Sequence, residues 1–153
     1  MTRIDFYILD SNTPQARESF ACRLIEKVQQ QGHSIFVQSH STQHAELIDD
    51  LLWSFKPESF VAHARIDSTI AKNCSIVIGQ SKQLNQEHAT TADCHQHDVL
   101  INFESTVPSD FSYYNRVVEI INKTDNATTE DGRVRYAHYK DRGYKIESHN
   151  IRG

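Results

Sequence analysis

The sequence predicts an α/β fold: a layered, mainly parallel sheet with helices on both faces, in a single domain spanning residues 1–153. Short β-branched runs alternate with amphipathic helical stretches, the pattern of strands joined by crossover helices. A chain of 153 residues suits one domain able to bury its own core. Five Gly and three Pro leave no room for a fibrous or low-complexity repeat.

The elements follow in order. Ile4 to Leu9 is a compact apolar run of β-formers, as expected of a strand buried on both faces. Asp10-Ser11-Asn12-Thr13-Pro14 reads as a turn into a helix, with Thr13 placed to cap and Pro14 at the first helical position. Ala16, Phe20, Leu24 and Val28, flanked by Ala21 and Ile25, form one apolar face of that helix, which Gly32 ends. Ile35-Phe36-Val37 is a second strand. A second helix starts near Thr42, carries Ala45, Ile48 and Leu52 on one face, and must end before Pro57.

Cys74–Gly79 and Val99–Phe103 are two more strands, separated by a polar, aperiodic loop from Gln80 to His97. Pro108 to Asn115 suits a short helical turn, and Val117, Val118, Ile120 and Ile121 form a further strand. Thr128, with Asp131 three residues on, reads as a capping box opening a last helix that ends at Gly143. Tyr144 to Ile151 returns as an extended tail.

Charge is unevenly distributed. From Arg133 onward six Lys/Arg face only Asp141 and Glu147, whereas the first 132 residues hold ten Lys/Arg against eighteen Asp/Glu. An acidic body with a basic, tyrosine-bearing end suits docking of something acidic. No apolar run of about 18 residues is available to span a bilayer. The opening residues carry no signal-peptide core, and Cys22, Cys74 and Cys94 read as reduced thiols. A cytoplasmic protein without membrane contact is expected.

The sequence gives little to catalysis or cofactors. The first strand–helix turn has no glycine, so its backbone is not suited to approach a pyrophosphate, and no Walker-type loop occurs. Asp49-Asp50 point about 100° apart on a helix and read as its solvated edge. His88, Cys94, His95 and His97 form the one cluster that invites zinc, giving a small metal-dependent hydrolase as the alternative reading. Neighbouring Cys94 and His95 cannot both ligate without strain, so no metal or cofactor is expected.

Two binding surfaces stand out. Leu51, Leu52, Trp53, Phe55 and Phe60 crowd around a proline, either as a core corner or as partner anchors. In the last helix Arg133, Tyr136, Ala137 and Lys140 share a face at i, i+3, i+4 and i+7, with Arg135, Tyr139 and Arg142 on the opposite side. Cations beside an aromatic ring suit a peptide ending in an apolar residue with a free carboxylate. A salt-bridged surface helix or a nucleic-acid contact are the other readings of that face.

The chain also resembles the chi subunit family of the bacterial DNA polymerase III holoenzyme, a clamp-loader accessory subunit. The resemblance runs through Arg3-Ile4-Asp5-Phe6-Tyr7-Ile8-Leu9, Phe20-Ala21-Cys22-Arg23-Leu24, Leu51-Leu52-Trp53, Glu58-Ser59-Phe60-Val61-Ala62-His63 and His97-Asp98-Val99-Leu100-Ile101-Asn102. It ends with Arg133, Arg135, Tyr136, Tyr139, Lys140, Gly143 and Tyr144, and it is weakest from about Ala64 to Gln96. It implies a non-catalytic adaptor with a nucleotide-binding-like fold that lacks the nucleotide site. The implied partners are the psi subunit, which tethers the protein to the clamp loader, and the acidic C-terminal tail of single-stranded DNA-binding protein, so that DNA is reached only indirectly. The resemblance places Trp53 and Phe60 on the psi-facing surface, and Arg133, Tyr136, Lys140 and the apolar wall Ile121 in the tail site. Thr129 and Ala137 stand where well-known members carry lysine.

Overall fold

The computed structural model describes residues 2–11, 13, 15–54, 64–65, 76–79, 98–108 and 111–152, without the side chains of 53, 64, 65 and 152. Its strands are β1 (Arg3–Asp10), β2 (Ile35–Gln38), β3 (Ala64–Arg65), β4 (Ile76–Gly79), β5 (Val99–Asn102), β6 (Arg116–Asn122) and β7 (Lys145–Arg152). All pair in parallel, in the order β3-β4-β2-β5-β6-β1-β7. The helices are α1 (Ala16–Gln30), α2 (Thr42–Ser54) and α3 (Asn126–Asp141). This is the layered α/β fold expected, with Phe111–Tyr113 supplying the short helical turn.

Strand alternation creates two cores. One side chain set, including Leu9, Ile35, Val37, Ile76, Ile78, Val99, Ile101, Val118 and Ile120, packs under α1 and α2. The set facing the other way, Ile4, Phe6, Phe36, Val77, Leu100, Val117 and Ile121, packs with Phe111, Tyr114 and Tyr139 on the α3 side. Strands covered on both faces need continuous apolar runs, which explains IVIG, VLIN and the run around Val117.

Helix ends depart from the sequence reading. α1 starts at Ala16, not at Pro14, and Gln15 caps it in a left-handed conformation (φ 61°) without a side-chain bond. Thr13 does not serve as the cap, and Pro14 lies outside the described residues. α3 starts two residues before Thr128: Asp125 is its cap, accepting from the amides of Ala127 and Thr128 at 3.1 and 3.3 Å. Bonds from the Thr128 hydroxyl and amide lower the carboxyl of Asp125. An aspartate cap satisfies the orphan amides as well as a Thr-based box would. Gly143 ends α3 as expected, its φ of 83° turning the chain directly into β7.

The tail is thus a full strand, paired with β1 from Lys145 opposite Arg3 to Arg152 opposite Asp10. Asp5 of β1 is fully buried on the α1 side, where Arg116 donates to it at 2.6 Å and His149 lies at 3.2 Å. Burial alone would raise its carboxyl, but the bonds from Arg116 and His149 and the nearby charges bring it below its ordinary value of 3.8. Its stabilisation is therefore complete above that value and is lost as pH falls through the lowered one. Asp5→Asn should destabilise the fold by about 1–3 kcal/mol at pH 7. Urea unfolding at pH 7 and pH 3 should show the gap from wild type narrowing in acid.

Candidate functional site

Between Arg116 and Asn122 at its ends, β6 is apolar except for Glu119, which faces α3. It is completely buried, as are Asn102 beside it on β5 and Arg135 and Tyr139 above it on α3. Arg135 Nε donates to Glu119 Oε1 at 2.9 Å, while Tyr139 Oη and Asn102 Nδ2 donate to Oε2 at 2.7 and 3.0 Å. A second Arg135 nitrogen donates to the Ser105 carbonyl at 3.0 Å. Burial raises the Glu119 carboxyl against the pull of Arg135 and the donated bonds. Burial, and next to it the Glu119 charge, pushes the Tyr139 phenol far up, keeping its proton in place to donate.

The sequence puts Arg135, Tyr139 and Arg142 opposite Arg133; Arg142 is exposed, whereas Arg135 and Tyr139 are buried against the sheet. Their side is the sheet-facing one, so Arg135 is not available to a partner. Gly132 completes that side: a Cβ there would press on the end of the Ile121 side chain, so glycine lets α3 sit close to β6 without displacing it.

With that side turned inward, Arg133, Tyr136 and Lys140 emerge together along one outer flank, all exposed. The ring of Tyr136 stands edge-on to Phe6 of β1, centroids 5.4 Å apart, which places this flank at β1, the strand beside β7. The opposite flank carries His138 and Arg142, bonded to each other at 2.8 Å, next to Val107, Pro108, Phe111 and Tyr144. Ile121 is buried beneath Gly132 rather than standing at the surface. Thr129 uses its hydroxyl to bond the Asp125 carbonyl at 2.9 Å, and Ala137 is exposed. The flank can offer two cations and an aromatic ring on an apolar base, which fits an acidic, partly apolar peptide.

The other surface is only partly described. Trp53 lies in the last turn of α2, while Phe60, Phe55 and the histidine-rich segment with His88, Cys94, His95 and His97 lie outside the described residues. Among the described residues, Asp5, Glu147 and His149 bring potential metal-ligand atoms together. Arg116 and Arg3 already bind Asp5, at 2.6 and 3.2 Å, and their guanidinium charges oppose an incoming cation. No described helix is long and apolar enough to cross a membrane.

Fold and site together define an α/β protein presenting a basic, aromatic helix flank. The family model described as DNA polymerase III chi subunit, HolC, matches residues 1–147, and the chain belongs to that family. It is 27% identical over 151 residues to the DNA polymerase III subunit chi of Pseudomonas aeruginosa, covering 99% of this chain and 98% of that one. It is 26% identical over 147 residues to the Haemophilus influenzae subunit chi, covering 95% of each. Among solved structures it resembles T4 UvsW, with a TM-score of 0.67 at 14% identity, covering 99% of this chain and 42% of the UvsW chain. That likeness concerns the fold alone. Membership makes the chain a DNA-replication accessory subunit of a polymerase III assembly and gives no support to the metal-dependent hydrolase alternative.

Sequence reasoning passed over Glu119, although a lone acid inside Val117-Val118-Glu119-Ile120-Ile121 signals a buried charge in need of a cation. Arg135→Met would leave Glu119 buried without its counter-ion, at a cost of about 3–5 kcal/mol. The urea midpoint should fall accordingly, and Glu119→Leu added to Arg135→Met should recover only part of the loss, because Tyr139 and Asn102 then lose their shared acceptor.

Proposed function

We propose that this chain is a non-catalytic replication adaptor that acts as one chi-like domain over residues 1–153 in the cytoplasm. It binds the psi subunit, and through it the clamp loader, by a surface that includes Trp53 and Phe60. It binds the acidic C-terminal tail of single-stranded DNA-binding protein by the outer flank of α3. The carrying observation is that Arg133, Tyr136 and Lys140 share one exposed flank, set by the buried pair beneath it. Arg133 holds the terminal carboxylate through paired hydrogen bonds. Tyr136, with Phe6 behind it, brackets the last side chain, Ile121 supports that apolar base from beneath Gly132, and Lys140 attracts the acids upstream. DNA is reached only through its coating protein.

Fluorescence anisotropy of a labelled peptide copying the tail of the organism's own single-stranded DNA-binding protein tests this. Saturable binding should weaken about tenfold or more in Arg133→Ala, and similarly when the terminal carboxylate is amidated. Raising salt from about 50 to 300 mM should weaken it further, because exposed charges are screened. Binding indifferent to both Arg133 and the carboxylate would refute the assignment.

A further inference from the structure

β7 is the last strand of the sheet: it pairs with β1 along all eight of its residues, and its outer edge meets no other strand among the described residues. A long open edge is a template for another strand, and proteins ordinarily shorten, cover or bulge such edges. The flank of α3 that carries Arg133, Tyr136 and Lys140 meets β1, the strand to which β7 is paired, through Tyr136 and Phe6.

The directions agree as well. α3 connects the end of β6 to the start of β7, so it runs antiparallel to the strands. Lys140 therefore lies toward the start of β7, and Arg133, seven residues earlier, lies about 10 Å further along the strand. That distance is about three residues of extended chain. A peptide with its terminal carboxylate at Arg133 and its upstream acids at Lys140 runs in the same sense as β7, continuing the all-parallel sheet. Its side chains alternate between the α3 face, under those two cations, and the opposite face, where Lys145 is largely exposed. Glu147, the acid on that face of β7, is already engaged by Arg3 at 3.4 Å and Lys145 at 3.8 Å.

We infer that the acidic tail binds as an added parallel strand on the outer edge of β7, held by backbone hydrogen bonds as well as by the α3 flank, with Lys145 as a further contact. This rests on the tail-binding reading above. It goes beyond it by assigning β7 as the docking element and backbone pairing as a source of affinity.

The test uses the full chain and three forms of the last nine residues of that tail: unmodified, and N-methylated at alternate residues in each of the two phases. Alternate amides of an added strand point toward β7 or away from it. One methylated phase should therefore lose about tenfold or more in affinity, and the other less than about threefold. Lys145→Glu should weaken the unmodified peptide about threefold or more. Amide exchange should show β7 protected only when the unmodified peptide or the tolerated phase is bound. Both phases binding like the unmodified peptide, or both weakening equally, would overturn strand addition while leaving the Arg133-dependent site in place. No binding of the unmodified peptide would remove the tail-binding reading itself, and strand addition with it.

Discussion

The structure turns on one buried charge. Glu119 sits in the middle of a parallel sheet, where a bare carboxylate would be expensive to bury. α3 supplies what it needs from two positions four residues apart, Arg135 and Tyr139, which a helix places one above the other on the same side. This fixes the rotation of α3 about its axis, because turning the helix by even one residue would withdraw both partners. Gly132 lets the helix sit close to the sheet, since a side chain there would have to displace the end of Ile121. A helix of low overall hydrophobicity is thereby seated by a polar pair instead of a broad apolar face.

The exposed flank is a consequence of that seating. Because Gly132, Arg135 and Tyr139 face down, Arg133, Tyr136 and Lys140 must face out, and Tyr136 comes to rest on Phe6. The cations are followed directly in sequence by β7, with Lys145 at its first position. An uneven charge distribution along the chain thus becomes a local basic edge in space, and opposite charge is drawn to that edge while the rest of the surface repels it.

Much of this was legible beforehand. Apolar runs such as Ile76-Val77-Ile78 and Val99-Leu100-Ile101 announced buried strands, and the four-residue spacing of α1 announced its buried face. The i, i+3, i+7 spacing put Arg133, Tyr136 and Lys140 on one side without coordinates. The identity of the inward side was harder to read. Arg135 looks like any surface arginine until it is known that Glu119 lies under it, sixteen residues away in sequence and adjacent in space. Helix starts were missed for a local reason: Asp125 and Thr128 are both good caps, and only the backbone decides between them. The eight-residue pairing of β7 with β1 depends on where α3 delivers the chain, which no local signal in Tyr144–Ile151 encodes.

The two departures from lysine bear on how the flank works. Thr129 lies in the first turn of α3, where its hydroxyl bonds the Asp125 carbonyl. Ala137 contributes helix propensity and no charge. Two cations near the start and middle of the outer flank are therefore missing, each worth about 0.3–1 kcal/mol of exposed, salt-screened attraction. Among the described side chains of this flank, the positive charge that is left centres on Lys140 and Lys145, at the junction of α3 and β7, with Arg133 further along. A binding site with one cation at its far end and its main positive charge at the near end is polar along its length. Under the tail-binding reading, Arg133 takes the single terminal carboxylate and the junction takes the run of acids before it. The loss of lysines at Thr129 and Ala137 would then weaken general attraction while sharpening the direction in which an acidic peptide can lie.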